Sequence, residues 1–285
     1  MASGKGVTKS TICGVIGNPL THTLSPIMHN TAFKELGLDF EYQKFDVPED
    51  QFISTLDDLK TKSFRGLSVT MPYKTKIIQY LDKLDNLASE IGAVNTVVND
   101  DGLLTGYNTD AYGAIEALLR NGMDVKSKRY KILIVGAGGA ARAIAFPLAR
   151  LGHEIIIANR TFMNGVQLAM ELSNITMATV LNLENVKDII GNVRTIINCT
   201  PVGMKGSPEE SPIPIELIKE NMVIFDIVYS PKETFLIKEA KNIGAKIIYG
   251  YEMFVHQGVK AFELWTGENA PVEVMQKVVL ENLES

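Results

Sequence analysis

Residues 131–161, KILIVGAGGAARAIAFPLARLGHEIIIANRT, run from a short β-branched segment through a glycine-rich turn and a helical stretch into a second apolar run. That order predicts a βαβ unit. Residues 132–135 read as a strand buried on both faces of a parallel sheet. Gly136, Gly138 and Gly139 follow directly, and without Cβ atoms they let backbone N–H groups approach a pyrophosphate at the positive end of the next helix. Ala141 stands at the third glycine position of the fingerprint and is small enough for it. Glycine also ends helices and makes ordinary turns, so the motif gains its meaning from lying between a strand and a helix. Pro147, inside the helical pattern, is expected to kink or interrupt that helix.

The second strand, residues 155–158, should end beside an adenosine ribose, where an Asp or Glu would bind a free 2′-hydroxyl. The chain has Arg160 there. A guanidinium favours a 2′-phosphate by charge and by forked hydrogen bonding, which predicts NADP(H) over NAD(H). The competing reading is a solvated arginine at a strand end.

Working outward, 285 residues suggest two domains on a prior of roughly 150 residues each. With 46% hydrophobic and 21% charged residues the composition is that of an ordinary globular protein. The net charge of −5 and a single small basic cluster (Lys126, Lys128, Arg129, Lys131) give no support for nucleic-acid binding. Cys13 and Cys199 each lie in an apolar strand-like run, so buried free thiols in a reducing cytoplasm are expected rather than a disulfide or a metal site. Residues 1–10 are polar and lack the apolar stretch of a signal peptide, and the longest apolar segments are broken by Arg142, Pro147 or glycines, so no membrane association is expected.

The first hundred residues alternate strand-like and helix-like segments, TICGVIG, SPIMHNTAFKELG, EYQKFDV, PEDQFISTLDDLK and GLSVT, which predicts a small α/β domain with a mainly parallel sheet. Met28, Ala32 and Leu36, with Phe33, give the first helix an apolar face to pack on that sheet. Residues 93–98 and the turn Asn99-Asp100-Asp101-Gly102 predict a hairpin leading to a helix through Leu119, and the crossover between domains is placed there. Further strands are expected at 195–199, 223–227 and 246–248, then helices around 252–265 and 271–283. The fold class is α/β: an N-terminal substrate domain completed by the C-terminal helices, and a Rossmann-type nucleotide domain. The boundaries are 1–110 plus 250–285 and 111–249.

Two loops at strand ends offer chemistry. Ser25-Pro26 matches an N-cap followed by proline, yet hydroxyls on Thr23 and Ser25 at a helix start would also suit a substrate carboxylate. Ser68-Val69-Thr70-Met71-Pro72-Tyr73-Lys74 ends a strand and places Lys74 in the first turn of a helix, where a cation opposes the dipole and stability gives little reason for it. Asp110 at a helix start is ambiguous in the other direction, since a carboxylate there is stabilising and common.

Taken together, GNPLTHTLSPIMHN, SVTMPYK, GAVNT, GYNTD, GAGGAARA, NRT, NCTPVGM, DIVYSPKET and GYEMFVHQG resemble the shikimate dehydrogenase family, in the family's order from residue 17 to residue 258. The resemblance implies NADP-dependent, reversible reduction of 3-dehydroshikimate to shikimate in aromatic amino-acid biosynthesis. It implies that Lys74 and Asp110 flank the reacting carbon and that Thr23 and Ser25 hold the carboxylate. Thr70, Asn95, Asp110, Tyr229 and Gln257 then meet the ring hydroxyls and Lys74. The nucleotide lies along Gly136, Ala137, Gly138, Gly139, Ala140, Asn159, Arg160 and Thr161, with Thr200, Ile227 and Gly250 near the nicotinamide. It also implies a return of the last helices to the N-terminal domain and a small-molecule partner for a monomer or homodimer.

Three positions depart from the pattern: Thr23 where serine is usual, Ser68 where many members have asparagine, and Asn164 in place of a basic residue that helps grip the 2′-phosphate. The first two leave a quinate/shikimate dehydrogenase using NAD as an alternative. A non-catalytic NADP-binding sensor would need neither Lys74 nor Asp110. Glutamyl-tRNA reductase, which has a similar nucleotide domain, needs an accessible nucleophilic cysteine.

Overall fold

The computed structural model describes residues 11–21, 23–61 and 64–284. Residues 1–10, read above for the absence of a leader, lie outside the described residues, as does His22 in the first loop.

The apolar runs of the first third become β1 (Thr11–Gly17), β2 (Phe40–Asp46) and β3 (Gly66–Val69), joined through α1 (Ser25–Glu35) and α2 (Phe52–Thr61). Then come β4 (Lys83–Leu84), α3 (Asn86–Ile91), the hairpin strands β5 (Thr96–Asp100) and β6 (Leu103–Tyr107), and α4 (Thr109–Arg120). The sheet order is β2-β1-β3-β5-β6-β4. β5 runs antiparallel to both neighbours and the other pairings are parallel, so the sheet is mainly parallel with the hairpin as the exception.

The remainder supplies β7 (Lys131–Val135), α5 (Gly139–Arg150), β8 (Glu154–Ala158), α6 (Phe162–Leu172), β9 (Ala178–Leu181), β10 (Thr195–Asn198), β11 (Val223–Asp226), α7 (Phe235–Ile243) and β12 (Lys246–Ile248). This second sheet has the order β12-β11-β10-β7-β8-β9 with every pairing parallel. Its direction of winding reverses between β7 and β10, and such a reversal opens a crevice at the carboxyl ends of the strands. The four inner strands, β11, β10, β7 and β8, are buried on both faces, which is why they read as β-branched runs rather than as alternation.

The last two helices, α8 (Gly250–Thr266) and α9 (Val272–Leu283), return to the first sheet. Trp265 of α8 lies over Gly66 so closely that a Cβ there would collide with the indole, and its Nε1 donates to the Val97 carbonyl at 3.0 Å. α8 also runs along α4. A Cβ on Gly113 would stand 2.6 Å from the Met253 carbonyl oxygen and 2.8 Å from Gln257 N, so only glycine at that point lets the two backbones meet. Two arginines of α5 bind the two halves from the other side: Arg142 Nε donates to the Ile91 carbonyl at 2.6 Å, and Arg150 pairs with Glu90 at 2.6 Å.

Three expectations are corrected. Pro147 does not interrupt its helix, because it falls in the last turns of α5, where it deletes a single backbone bond, and Leu151 N still bonds to its carbonyl at 3.1 Å. Leu36 is exposed: α1 ends at Glu35, and Met28, Ala32 and Phe33 form the buried face together with Ser25 and His29. Ser25 is not the N-cap; Leu24 holds that position, with no side-chain capping bond, and the Ser25 side chain turns inward. Among the described residues no helix is long and apolar enough to cross a membrane.

One buried group sets an acid limit on stability. His29 is fully buried against Tyr42 (ring centroids 4.5 Å) and Trp265 (5.1 Å), and neither ring nitrogen has a hydrogen-bond partner among the described residues. Burial drives its pKa from 6.5 down to about 3. The folded pKa lies below the unfolded one, so the neutral ring's contribution is complete above the unfolded value and is lost progressively as pH falls toward 3. Urea unfolding at about pH 7.5 and about pH 5 should show the wild type losing roughly 2 kcal/mol more than His29→Leu; equal losses would contradict this.

Candidate active site

Tyr73 anchors the turn after β3. Its ring is fully buried and stacks on Phe52 at 4.1 Å, its hydroxyl donates to the Val47 carbonyl at 2.5 Å, and its N–H bonds to Thr70 O at 2.9 Å. Lys74 follows in a turn, not in the first turn of a helix as the spacing predicts; only a short 3₁₀ segment, Lys76–Tyr80, forms beyond it. The reason is a tertiary bond: the Lys74 carbonyl accepts from Val94 N at 2.8 Å, in a neighbouring loop, in place of a bond along a helix.

The opposite charge comes from α4. Asn108 caps that helix, accepting from Ala111 N at 3.2 Å while donating to the Ala93 carbonyl at 2.9 Å, and this places Asp110 in the first turn. Lys74 Nζ donates to Asp110 Oδ2 at 2.5 Å. Asn95 Nδ2 donates to the other carboxylate oxygen at 2.9 Å, and its Oδ1 accepts from Thr109 N at 2.6 Å. Gln257 of α8 reaches the same group, its Oε1 lying 3.5 Å from Asn95 Nδ2. Lys74, Asn95, Asp110 and Gln257, separated by up to 183 residues in sequence, thus form one cluster.

A second cluster consists of hydroxyls. Thr23 Oγ1 donates to Ser25 Oγ at 3.2 Å, and Tyr229 lies beside Thr23 and Leu24, with burial pushing its phenol pKa up. Tyr229 stacks on Phe254 at 4.4 Å, and the Phe254 carbonyl accepts from Gln257 Nε2 at 2.8 Å, which links the two clusters. Thr70 closes β3 beside Gly17, with its N–H on the Ile16 carbonyl at 3.0 Å.

Beside the ion pair lies a cavity of about 580 Å³ at the reversal point of the second sheet. Val135, the turn Gly136-Ala137-Gly138-Gly139-Ala140, Ala158, Asn159, Arg160, Cys199 and Thr200 line it, and Met71, Pro72, Lys74 and Thr75 face them from the first half. Gly136 has φ +112° and sits against the Cys199 carbonyl, a position that an L side chain would strain. Among the described residues no side chain caps α5, so the N–H groups of its first turn are free to meet an anion. A Cβ on Gly139 would stand 3.7 Å from Lys74 Cδ, so the lysine stem passes directly over the glycine turn. Arg160 is exposed and makes no ion pair among the described residues. Donors at a helix N-terminus, a side-chain-free cradle and an unpaired guanidinium fit a phosphorylated dinucleotide.

Thr161 caps the start of α6 without a side-chain bond. Ile227 and Gly250 do not line the cavity; they touch each other, since a Cβ on Gly250 would stand 2.6 Å from the Ile227 carbonyl oxygen. The sequence reading missed Asp226, which ties these strand ends together. Its carboxylate accepts from Asn198 Nδ2 at 2.9 Å, Val228 N at 3.0 Å and Thr234 Oγ1 at 2.7 Å, while Asn198 Oδ1 holds Thr200. Burial raises Asp226 to about 6. It also missed the Glu210, Ser211 and Pro212 wall of the cavity, which no motif marks. Cys13 is buried as expected; Cys199 is only part-buried as a residue, but burial raises its thiol pKa, and both cysteines are free. Among the described residues no group of three or more His, Cys, Asp or Glu side chains could hold a metal ion.

Residues 15–97 match the description "Shikimate dehydrogenase substrate binding domain", residues 118–232 "Shikimate / quinate 5-dehydrogenase" and residues 250–280 "Shikimate 5'-dehydrogenase C-terminal domain". A relative from Bacillus cereus, named shikimate dehydrogenase (NADP(+)), is 45% identical over 278 residues, covering 95% of this chain and 98% of its own. A solved shikimate dehydrogenase in complex with NADP+ superposes with a TM-score of 0.90 at 41% identity, covering 96% of each chain. The enzyme from Thermus thermophilus, solved with NADP(H) and shikimate, does so with a TM-score of 0.86 at 37% identity over 96% of this chain and 100% of its own.

Proposed function

Because the chain belongs to the shikimate dehydrogenase family, we propose that it catalyses the reversible, NADP-dependent reduction of 3-dehydroshikimate to shikimate, a step of aromatic amino-acid biosynthesis. One observation carries the reading: the lysine that walls the dinucleotide-shaped cavity is the same lysine whose ammonium is held 2.5 Å from the Asp110 carboxylate of the substrate half.

In this reading residues 1–110 plus 250–285 form the substrate half and residues 111–249 the nucleotide half. Thr23 and Ser25 bind the substrate carboxylate. Thr70, Asn95, Asp110, Tyr229 and Gln257 meet the ring hydroxyls and Lys74. Gly136, Ala137, Gly138, Gly139 and Ala140 hold the pyrophosphate, Asn159, Arg160 and Thr161 the adenosine end, and Thr200, Ile227 and Gly250 the nicotinamide end. NADP(H), when bound, supplies or accepts the hydride.

Reducing a ketone leaves negative charge on its oxygen, which needs a nearby cation and a proton. Lys74 supplies the charge, and Asp110 aims the ammonium while Asn95 fixes Asp110 from its far oxygen. Met71, Pro72, Val135 and Ala158 add apolar surface to the cavity beside the pair. We place the activity in the cytoplasm, in a monomer or homodimer; two free cysteines support that compartment.

Purified protein with shikimate and NADP should form NADPH, read by absorbance, and should do so faster than with quinate or NAD. No NADPH formation would overturn the proposal, and faster turnover of quinate with NAD would replace its substrate and cofactor. In the same assay Lys74→Met should lower kcat at least about a hundredfold with a much smaller change in KM for shikimate; near-normal kcat would refute the role of Lys74. Arg160→Asp should shift the ratio of kcat/KM for NADP to that for NAD toward NAD by about tenfold or more, and an unchanged ratio would count against Arg160.

A further inference from the structure

Asp226, the last residue of β11, is fully buried, makes no ion pair among the described residues and does not line the dinucleotide cavity. Three donors hold its charge in place of a cation. Oδ1 accepts from Asn198 Nδ2 at 2.9 Å and from Val228 N at 3.0 Å, and Oδ2 accepts from Thr234 Oγ1 at 2.7 Å. Burial raises its pKa only to about 6, so at neutral pH the group is ionised and can receive protons but not donate them.

An asparagine amide has a donor side and an acceptor side, and a carboxylate oxygen facing it fixes which is which. Asn198 turns its Nδ2 to Asp226, and its Oδ1 is left for Thr200, accepting from the backbone N–H at 3.0 Å and from Oγ1 at 2.7 Å. The Thr200 hydroxyl proton is thereby committed inward, and its oxygen receives from Val202 N at 3.3 Å. Thr200 itself is a wall of the cavity beside Gly136. The turn after β11 is set by the same carboxylate oxygen. Its bond from Val228 N folds the chain back over Ile227, and the Ile227 and Val228 carbonyls then pack so closely on Gly250 that a Cβ there would collide with both oxygens.

Resting on the NADP reading of the cavity, we propose that Asp226 is a positioning residue for the nicotinamide end of the cofactor: through Asn198 it holds Thr200, and through Val228 it holds Ile227 against Gly250, so that one buried carboxylate keeps three positions of that end in place. Asp226 acts only through these neighbours. Its removal frees the Asn198 amide to rotate and releases the turn at Ile227, while the glycine turn and Arg160, which serve the phosphates, keep their own supports.

Two probes separate this role from general support of the fold: NADPH, and 2′-phospho-ADP-ribose, which keeps the adenosine end and the phosphates but lacks the nicotinamide. By calorimetric titration Asp226→Ala should raise Kd for NADPH about tenfold, while Kd for 2′-phospho-ADP-ribose stays within about twofold. The emission of bound NADPH, which reports the surroundings of the reduced ring, should move toward that of the free cofactor. Asp226→Asn should bring NADPH binding back to within about twofold of the wild type, because an amide oxygen in the place of Oδ1 still receives from Asn198 and Val228. If Asp226→Ala does not fold, Asn198→Ser, which shortens only the branch to Thr200, should show the same selective loss. Unchanged NADPH affinity, an equal loss for both probes, or no recovery with Asp226→Asn would each overturn the proposal. If the wild type binds NADPH but does not oxidise shikimate, the functional reading fails while the comparison of the two probes still decides this one.

Discussion

The ion pair between Lys74 and Asp110 is the constraint around which the molecule is arranged. With side chains only 20% and 9% exposed, both ions are largely withdrawn from water, and such pairs return little net stability because desolvation cancels most of the attraction. The fold nevertheless fixes both partners tightly. Tyr73 nails down the turn that carries the lysine, Asn108 caps the helix that carries the aspartate, and Asn95 bonds the aspartate's second oxygen. This much support for a pair that stability does not require is what a site that must hold charge in place looks like.

The same constraint explains how the halves meet. The pair must lie at the mouth of a cavity made by the other sheet, so the halves are joined where side chains are smallest. Gly113 lets α8 come down on α4 and brings Gln257 to Asn95. Arg142 and Arg150 then bind α5 to the end of α3, beside the loop that carries Asn95. On the nucleotide side, buried Asp226 gathers Asn198, Val228 and Thr234, which sets the spacing of two strand ends at the cavity.

The parts legible in the sequence were those written in local patterns. Gly136 to Ala140 between two β-branched runs announced a nucleotide turn, Asn99-Asp100-Asp101-Gly102 a hairpin, and Asp110 a first-turn carboxylate, and each lies as read. Readings failed where burial or a tertiary bond overrode a local rule. Ser25-Pro26 looks like a cap, but the Ser25 side chain is buried and bonded by Thr23; Lys74 looks helical, but its carbonyl is taken by Val94. Asp226 and the wall at Glu210, Ser211 and Pro212 had no local signature, since the role of Asp226 depends on Asn198, 28 residues away, and no motif marks the wall.

The most direct test of a working Lys74–Asp110 unit is a double-variant cycle on kcat for shikimate oxidation, comparing Lys74→Met, Asp110→Asn and the two combined. A single functional unit predicts strong non-additivity, with the double variant within about threefold of the slower single one. Losses that multiply independently would mean that the two side chains act apart, and that their contact is not what drives the chemistry.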